Sequence, residues 1–244
     1  MKNFFKSISL SLIIIVSLGA SVGLTKTPVL ADICSNFVYL DNQDYALCAG
    51  AESWNFDGVT YAKCKKQRGT SISLPLSYPT TSPPPTPATP AGDVEDVNLE
   101  GIAQGTYVVS TYTPPVEATT AGGSLALYTC NRPGSYAQCD GGICFNATSG
   151  TTFPGVGAIA SDEILCSCPI TTTSTSYQVY GPSACPTSKA DFDAICGSGK
   201  QASKNGKILM IGAPKATPKL LAQCLNLHND QPADVTFNTC TRPK

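Results

Sequence analysis

Two cysteine-containing stretches of this chain align with each other without a gap. The stretch at residues 136–146, YAQCDGGICFN, matches the earlier stretch at residues 45–55, YALCAGAESWN. Each is followed by a strand-like run that ends in cysteine, VTYAKC at Cys64 and EILCSC at Cys168. We interpret the pattern as one disulfide-closed module that is used twice, with the second copy elaborated.

The alignment also predicts how six of the cysteines pair. The first copy has Ser53 and Ala62 where the second has Cys144 and Cys166. Losing both partners of one bridge leaves no free thiol, so the joint absence indicates a bond between those two cysteines. A bridge that closes a loop of about 15 residues contributes on the order of 3 kcal/mol in the chain-entropy model. The predicted pairs are Cys144–Cys166, Cys48–Cys64 and Cys139–Cys168.

The other six cysteines are paired by weaker arguments. The chain contains 12 cysteines, and an even number in an oxidising compartment predicts six disulfides. Neighbours along the chain, and two cysteines that hold similar places ahead of the aligned stretches, predict the pairs Cys185–Cys196, Cys224–Cys240 and Cys34–Cys130.

The first 31 residues predict an export signal. Lys2 and Lys6 supply a positive start, and residues 10–18 form an apolar core. That core is shorter than the roughly 20 apolar residues of a transmembrane helix. Signal peptidase cleavage is expected between Ala31 and Asp32, with an uncleaved N-terminal anchor as the alternative. A secreted or periplasmic protein, with no membrane segment after signal removal, is therefore predicted.

Composition narrows the class of protein further. Without the signal the chain has 213 residues, with 13 basic and 17 acidic side chains. This acidic balance argues against nucleic acid as a partner, for which a basic surface is expected. Charged residues make up only 14% of the chain, which also contains 21 glycines and 19 prolines. Such a composition favours a loop-rich β protein over a helical one.

Four segments are predicted along the chain. They are the signal peptide (1–31), a first cysteine module (32–78), a Pro-rich linker or insertion (79–97), and a second, elaborated β-rich module with C-terminal helices (98–244). The Pro-rich part favours extended polyproline II. It either separates two domains or loops out of one.

Alternating and β-branched runs predict the strands. Residues 71–78, SISLPLSY, are expected at a sheet edge because Pro75 cannot donate a hydrogen bond. The preceding KKQRG, residues 65–69, predicts a hairpin turn with solvated charges, or alternatively a basic ligand-binding turn. The acidic residues 93–100 predict a soluble loop. Further strands are predicted at 106–112, 124–130, 171–182, 207–214 and 235–240.

Helix signals occur in the last third of the chain. Ser188 can cap a short helix that Gly197 ends. Thr217 and Pro218 begin a second helix, with an apolar face formed by Leu220, Leu221, Cys224 and Leu225. The predicted fold is therefore mostly β, small and disulfide-stapled, with two short C-terminal helices and two related cysteine modules.

Two further stretches are weak candidates for a functional site, a possible catalytic base and a possible phosphate loop. The only histidine, His228, is predicted to be a solvent-facing residue at a helix end rather than the base of a hydrolytic triad. Residues 197–200, GSGK, resemble part of a phosphate loop, but Ala194 stands where the earlier glycine is required. No catalytic residue and no cofactor are predicted.

Cys166 and Cys168 form a C-x-C pair that invites a redox or metal interpretation. Catalytic dithiols are more often C-x-x-C, and disulfides account for Cys139, Cys144 and this pair without zinc. No metal is predicted. An envelope thiol-disulfide protein remains the second alternative.

Paired carboxylates offer the remaining enzymatic possibility. Asp140, Asp162 and Glu163 belong to the second module and are absent from matching places in the first. Two carboxylates that flank a glycosidic bond can hydrolyse it. A carboxylate-dependent hydrolase acting on cell-wall or other polysaccharide is therefore the first alternative, although acidic residues in turns are ordinary.

The leading hypothesis is a non-enzymatic extracytoplasmic binding or structural module, with an extracellular glycan or protein as partner. Asn146 begins a glycosylation sequon, but Asn55 matches it without one, so a structural role in the turn is preferred. Aromatic residues are the first surface to test, although such residues are commonly core. They are Trp54, Phe145, Tyr136 and Tyr177.

Overall fold

The computed structural model describes residues 26–51, 53–56, 59–78, 92–113, 125–197, 205–207 and 211–244. Within these ranges strands predominate over four helices. The helices are α1 (Lys26–Cys34), α2 (Val94–Gln104), α3 (Lys189–Gly197) and α4 (Thr217–His228). The strands are β1 (Val38–Leu47), β2 (Ser53–Phe56), β3 (Val59–Ser73), β4 (Ser77–Tyr78), β5 (Gly92–Asp93), β6 (Tyr107–Thr111), β7 (Leu125–Cys130), β8 (Gly134–Ala137), β9 (Ile143–Phe145), β10 (Thr152–Phe153), β11 (Gly157–Ala158), β12 (Glu163–Ser167), β13 (Ile170–Thr173), β14 (Tyr177–Pro182), β15 (Asn205–Lys207), β16 (Gly212–Pro214) and β17 (Thr239–Cys240). The prediction of a mostly β, disulfide-stapled fold is confirmed.

The largest sheet has the strand order β1-β6-β9-β12-β3-β2-β15. Because β1 also pairs with β3, the strands β1, β6, β9, β12 and β3 form a closed ring. β1 and β3 come from residues 32–78, whereas β6, β9 and β12 come from residues 98–244. Strands on both sides of the Pro-rich segment therefore share one sheet. Six cysteines lie in the apolar core of this sheet: Cys48, Cys64, Cys139, Cys144, Cys166 and Cys168.

The strand registers repeat across the β3–β12 pair. Ala62 and Cys166, which correspond in the alignment, lie directly opposite each other. On one side Ser53 of β2 pairs with Ala62, and on the other Cys144 of β9 pairs with Cys166. The next pairs, Trp54–Tyr61 and Phe145–Leu165, follow the same correspondence. The strand pairs of the two aligned stretches are therefore related by an approximate local two-fold axis.

A second sheet has the order β16-β14-β7-β17. α4 packs Leu221, Ala222 and Leu225 into a core that also contains Tyr112 and Tyr180. Shorter two-stranded pairs complete the β structure: β8 with β13, β10 with β11, and β4 with β5. Among the described residues, no helix has both the length and the apolar character needed to span a membrane.

All twelve cysteines are bonded. The bonds Cys48–Cys64, Cys139–Cys168 and Cys144–Cys166 are those that the alignment predicts. The other three predicted pairs, Cys185–Cys196, Cys224–Cys240 and Cys34–Cys130, are wrong. The actual partners are set by packing between distant parts of the chain. For example, α1 lies on α4, and α3 lies on β7. The observed bonds are Cys34–Cys224, Cys130–Cys196 and Cys185–Cys240.

Two local predictions in the first half of the chain are wrong. The predicted turn at residues 65–69 lies inside β3, where the charged residues pair with β1. The predicted acidic loop at residues 93–100 is largely helix α2, because Asp93 accepts hydrogen bonds from the Glu95 and Asp96 backbone N–H groups and caps it. Val94 and Val97 are buried on its inner face.

The C-terminal helices match their predictions. Ser188 accepts a hydrogen bond from the Asp191 N–H and donates one to the Asp191 carboxylate, at the start of α3. α4 begins at Thr217 with Pro218 in its first turn. α1 and α2 are additional helices, so the chain has more than the two predicted. α1 also extends across the expected cleavage point at Ala31 and Asp32, while most of the predicted signal and Pro-rich segments lie outside the described residues.

Candidate functional site

A groove of about 390 Å³ lies between the β1–β3 ribbon and the α2–β6 unit. Its volume falls within the range of roughly 300–1,000 Å³ that is common for ligand pockets. Polar and apolar groups contribute to its lining, and its walls come from both predicted modules. The lining residues are Asp44, Tyr45, Lys66, Gln67, Arg68, Gly101, Ile102, Gly105, Tyr107, Val108 and Asn146.

The groove carries charge from the stretch predicted as a basic turn. Arg68 forms an ion pair with Asp44, with 2.9 Å between Nη1 and Oδ1. Lys66 is exposed and makes no ion pair within the described part of the chain. The sequence pattern predicts these basic residues in a turn. In the structure they lie on a strand that forms one wall.

Asn98 fixes the opposite wall of the groove. Its buried amide donates to Gln43 Oε1 and to the Asp44 carbonyl, each at 2.9 Å. Its Oδ1 accepts the Val109 N–H at 2.7 Å. One side chain therefore ties α2 to β1 and β6. Its helical spacing with Val94, Val97 and Gly101 is the sequence signal that could have revealed this role.

A close helix–strand contact sets the groove's floor. A Cβ at Gly101 would collide with the Tyr107 ring, so glycine allows α2 to approach β6. On the other side, the Cys48–Cys64 bond joins the end of β1 to the interior of β3. Both walls of the groove are thus held by bonds that need no ligand.

Asp140, the first candidate carboxylate, lies apart from this groove. Its Oδ1 accepts from Ser73 Oγ at 3.3 Å, and its Oδ2 accepts from the Leu74 N–H at 3.1 Å. Burial raises the pKa of the Asp140 carboxyl to about 7, outweighing these two hydrogen bonds, which lower it. The carboxyl is therefore partly protonated near neutral pH.

Asp162 and Glu163 form a separate, ion-paired group. Lys65 Nζ lies 2.9 Å from Asp162 Oδ2 and 3.2 Å from Glu163 Oε1. The hydrogen bond from Lys65 lowers the pKa of Asp162. Burial opposes a lower pKa at Glu163, but the Ala160 N–H and the two nearby lysines outweigh it. Both carboxyls are held ionised.

Asp140 is not brought together with the other two candidate carboxylates. Asp140 accepts a hydrogen bond from Ser73, and Asp162 accepts one from Lys65. Ser73 and Lys65 are eight positions apart on β3. An extended strand separates such positions by roughly 25 Å. Glycosidases place their two carboxyl groups about 5–10 Å apart. Asp140 therefore does not form a glycosidase pair with Asp162 or Glu163.

The four candidate aromatic residues divide between core and surface. Tyr136 and Tyr177 are buried and stacked, with ring centroids 5.5 Å apart, so they do not form a binding surface. Trp54 is half-buried, and its indole lies against Gly155. Phe145 is 45% exposed and packs edge-on against Tyr107. The hypothesis of one aromatic surface is corrected accordingly.

Two polar residues from the sequence analysis have structural partners. His228 is the last residue of α4, stacks on Tyr39 with centroids 4.1 Å apart, and contacts Asp41 Oδ1 through Nε2 at 2.8 Å. Asn146 donates its side-chain amide to the Gly105 carbonyl at 3.3 Å while remaining exposed. This contact places Asn146 at the rim of the groove.

The core cysteines form a dense sulfur cluster. The Sγ atoms of Cys48, Cys139 and Cys168 lie within 4.8 Å of one another. Each of these sulfurs is already bonded in a disulfide, and a disulfide has no thiolate to offer a metal. The stretch that resembles a phosphate loop, GSGK at residues 197–200, lies mostly outside the described residues.

The chain matches no model of a protein family, and no curated protein or solved structure is significantly similar to it.

Proposed function

We propose that this chain is an exported, disulfide-stapled module that binds an extracellular ligand without transforming it. The observation that carries the proposal is the groove between the β1–β3 ribbon and the α2–β6 unit, about 390 Å³ in volume. A disulfide on one side and the Asn98 hydrogen bonds on the other preorganise it. Preorganisation reduces the entropy lost on binding.

The groove's chemistry favours a polar or acidic glycan. Lys66 supplies a cation that forms no ion pair with any described residue, and Gln67 supplies an amide donor and acceptor. Tyr45 and Tyr107 also border the groove but are buried in the core, so polar groups supply its binding chemistry. Carbohydrate hydroxyls and carboxylates need hydrogen-bond donors of this kind.

Export and duplication belong to the same proposal. Six disulfides are consistent with a protein stabilised for an extracellular compartment, and the positive, apolar N-terminal stretch supplies the signal. The repeated strand pairing supports the interpretation of one module used twice. In that interpretation, the groove is built where the first copy meets α2 and β6 of the second segment.

A glycan-binding assay tests the proposal. The secreted protein is applied to an array of acidic and neutral cell-surface and cell-wall glycans, together with the variants Lys66→Ala and Gln67→Ala. We expect the glycans that the wild type binds to bind at least about tenfold more weakly to the Lys66→Ala variant, as for loss of a charged hydrogen bond. Lys189→Ala, on α3, is the matched control and should bind normally. Equal glycan binding by the Lys66→Ala and Lys189→Ala variants would refute the proposal that the groove is the binding site.

The hydrolase alternative is tested on the same array. Asp140→Ala, Asp162→Ala and Glu163→Ala proteins are compared with the wild type for release of reducing ends. We expect no turnover by any of them. Turnover by the wild type that disappears in one of these variants would replace the binding proposal with the hydrolase.

A further inference from the structure

A second pocket, of about 300 Å³, lies between the end of β7 and helix α3. It is separate from the groove proposed above, because the two share no lining residue. Within the described part of the chain, the charged side chains of its lining belong to Arg132, Asp193 and Arg242. The pocket therefore combines two guanidinium groups with one carboxyl group.

Asp193 on α3 brings the two arginines together. Arg242 donates from Nε to Asp193 Oδ1 at 2.8 Å and from Nη2 to Oδ2 at 2.6 Å. Arg132 Nη1 lies 3.4 Å from the same Oδ1, and Arg132 Nη2 donates to the Asp193 carbonyl at 2.9 Å. The two guanidinium groups are therefore neighbours, although Arg132 precedes α3 in the chain and Arg242 follows it.

The charges of the pocket lining do not balance. The hydrogen bond from Arg242 lowers the pKa of Asp193, and the charges of Arg132 and Lys189 lower it further. The Asp193 carboxyl is therefore ionised at neutral pH, and it supplies one negative charge against the two positive charges of Arg132 and Arg242. Neighbouring like charges repel each other. A second anion beside the two guanidinium groups would reduce this repulsion.

The two arginines also retain hydrogen-bond donors for a ligand. A guanidinium group has five N–H donors. Arg242 directs two of them at the Asp193 carboxylate, and Arg132 directs one at the Asp193 carbonyl and one toward the carboxylate. The Arg132 and Arg242 side chains are 40% and 50% exposed, so a molecule in solution can reach them.

The pocket is held in shape by contacts that need no ligand. The Cys130–Cys196 disulfide joins the end of β7 to α3. Phe192 of α3 packs against Tyr128 of β7, with ring centroids 5.7 Å apart. Because the elements that carry the arginines are already fixed, less conformational entropy is lost when a ligand binds.

We propose that this pocket binds a sulfate or phosphate ester group. The terminal oxygens of such a group accept hydrogen bonds in several directions, which matches donors that come from two guanidinium groups. The planar fork of arginine binds two oxygens of an oxyanion at once. A planar carboxylate has only two oxygens and reaches fewer of these donors. The pocket is larger than one ester group, so part of the molecule that carries the ester can enter it.

The test is an NMR titration of the secreted protein with methyl sulfate, methyl phosphate and acetate at constant ionic strength, followed through the arginine side-chain N–H signals. We expect saturable shifts with at least one of the two esters, and the ester that binds more tightly identifies the source as a sulfate or a phosphate. Acetate should bind at least about tenfold more weakly, as for loss of a charged hydrogen bond. Acetate binding as tight as that of both esters, or no saturable shift with either ester, would overturn the proposal.

Variants assign the ester binding to the pocket. Arg132→Lys keeps the positive charge but loses the planar fork, so it should weaken ester binding at least about tenfold. Lys219→Ala, which removes an exposed lysine on α4 outside the pocket, is the control and should bind the ester normally. Equal ester binding by the Arg132→Lys and Lys219→Ala variants would refute the site.

Asp193→Asn provides a second test with the opposite sign. This substitution removes the carboxylate that competes with the ester for both arginines, so ester binding should become severalfold tighter. Arginines that only hold α3 in place would give no such gain, and weaker ester binding in this variant would contradict the proposal. Lys66→Ala in the groove should leave ester binding unchanged, so the glycan assay and this titration can fail independently.

Discussion

Ala62 on β3 lies directly opposite Cys166 on β12, and the two residues occupy matching places in the aligned stretches. The disulfide between Cys144 and Cys166 corresponds to the strand pair Ser53 and Ala62, which contains no cysteine. Both pairs sit on adjacent antiparallel strands in the same sheet. The chain therefore contains one strand pairing with a disulfide and its counterpart without one.

This correspondence is tested by replacing Cys144 and Cys166 with the residues found at Ser53 and Ala62. The double variant Cys144→Ser with Cys166→Ala should fold, because serine and alanine already pack in the equivalent place. Its free energy of unfolding should fall by about 3 kcal/mol, the chain-entropy value for a loop of this length. Urea denaturation followed by circular dichroism measures the difference.

Removal of the Cys34–Cys224 bond provides the comparison for that variant. The two cysteines are 190 positions apart, so the same model assigns their bond about 5 kcal/mol. Cys34→Ala with Cys224→Ala should therefore be the less stable protein. A larger loss from the Cys144 and Cys166 substitutions would contradict the proposed equivalence of the two pairs.

Local sequence patterns predicted the features that depend on neighbouring residues. The aligned cysteines gave three bonds, and Ser188 with Asp191 gave the start of α3, because these contacts form within one hairpin or one helical turn. Cys34–Cys224 joins two helices from opposite ends of the chain, and spacing along the sequence contains no signal for such docking. The acidic residues around Asp93 predict a loop, because their charge conceals the buried helical spacing of Val94 and Val97 in α2. The groove also depends on long-range packing, since Asn98 of α2 reaches both Asp44 of β1 and Val109 of β6.

The raised pKa of Asp140 makes the protein's stability depend on pH. The folded pKa is about 7 against a usual value of 3.8, so the folded state binds the proton more tightly. The resulting stability is fully present below about pH 4 and is lost as pH rises through 7. Asp140→Asn should flatten this part of the profile of unfolding free energy between pH 4 and pH 8. Urea denaturation at a series of pH values measures it.

Asp162 supplies a control of opposite sign. Its pKa is lowered by the hydrogen bond from Lys65, so its contribution is present above the usual carboxyl pKa and is lost as pH falls. Asp162→Asn should change the acid side of the profile and leave the decline toward pH 8 intact. A decline that persists unchanged in the Asp140→Asn protein would show that other groups cause it.

The single tryptophan reports on the β10–β11 hairpin. Gly155 has φ +80°, and a Cβ there would collide with the Trp54 indole. Gly155→Ala should displace the ring, shift the fluorescence of Trp54 to longer wavelength and destabilise the fold by more than the roughly 1–2 kcal/mol of a left-handed alanine. Gly150→Ala has φ +87° with open space around it, so it should show the backbone cost alone and unchanged fluorescence. Equal effects of the two substitutions would rule out the indole contact.

The six disulfides should differ in how readily they are reduced. Cys185 is exposed, whereas Cys166 and Cys168 are fully buried. Thiol–disulfide exchange needs access to a sulfur, so mild reduction should open Cys185–Cys240 first. Alkylation at timed intervals, followed by peptide mass spectrometry, should label Cys185 and Cys240 before any cysteine of the sulfur cluster. Early labelling of Cys166 and Cys168 would instead favour the envelope thiol-disulfide alternative, because a redox pair must be reachable from solvent.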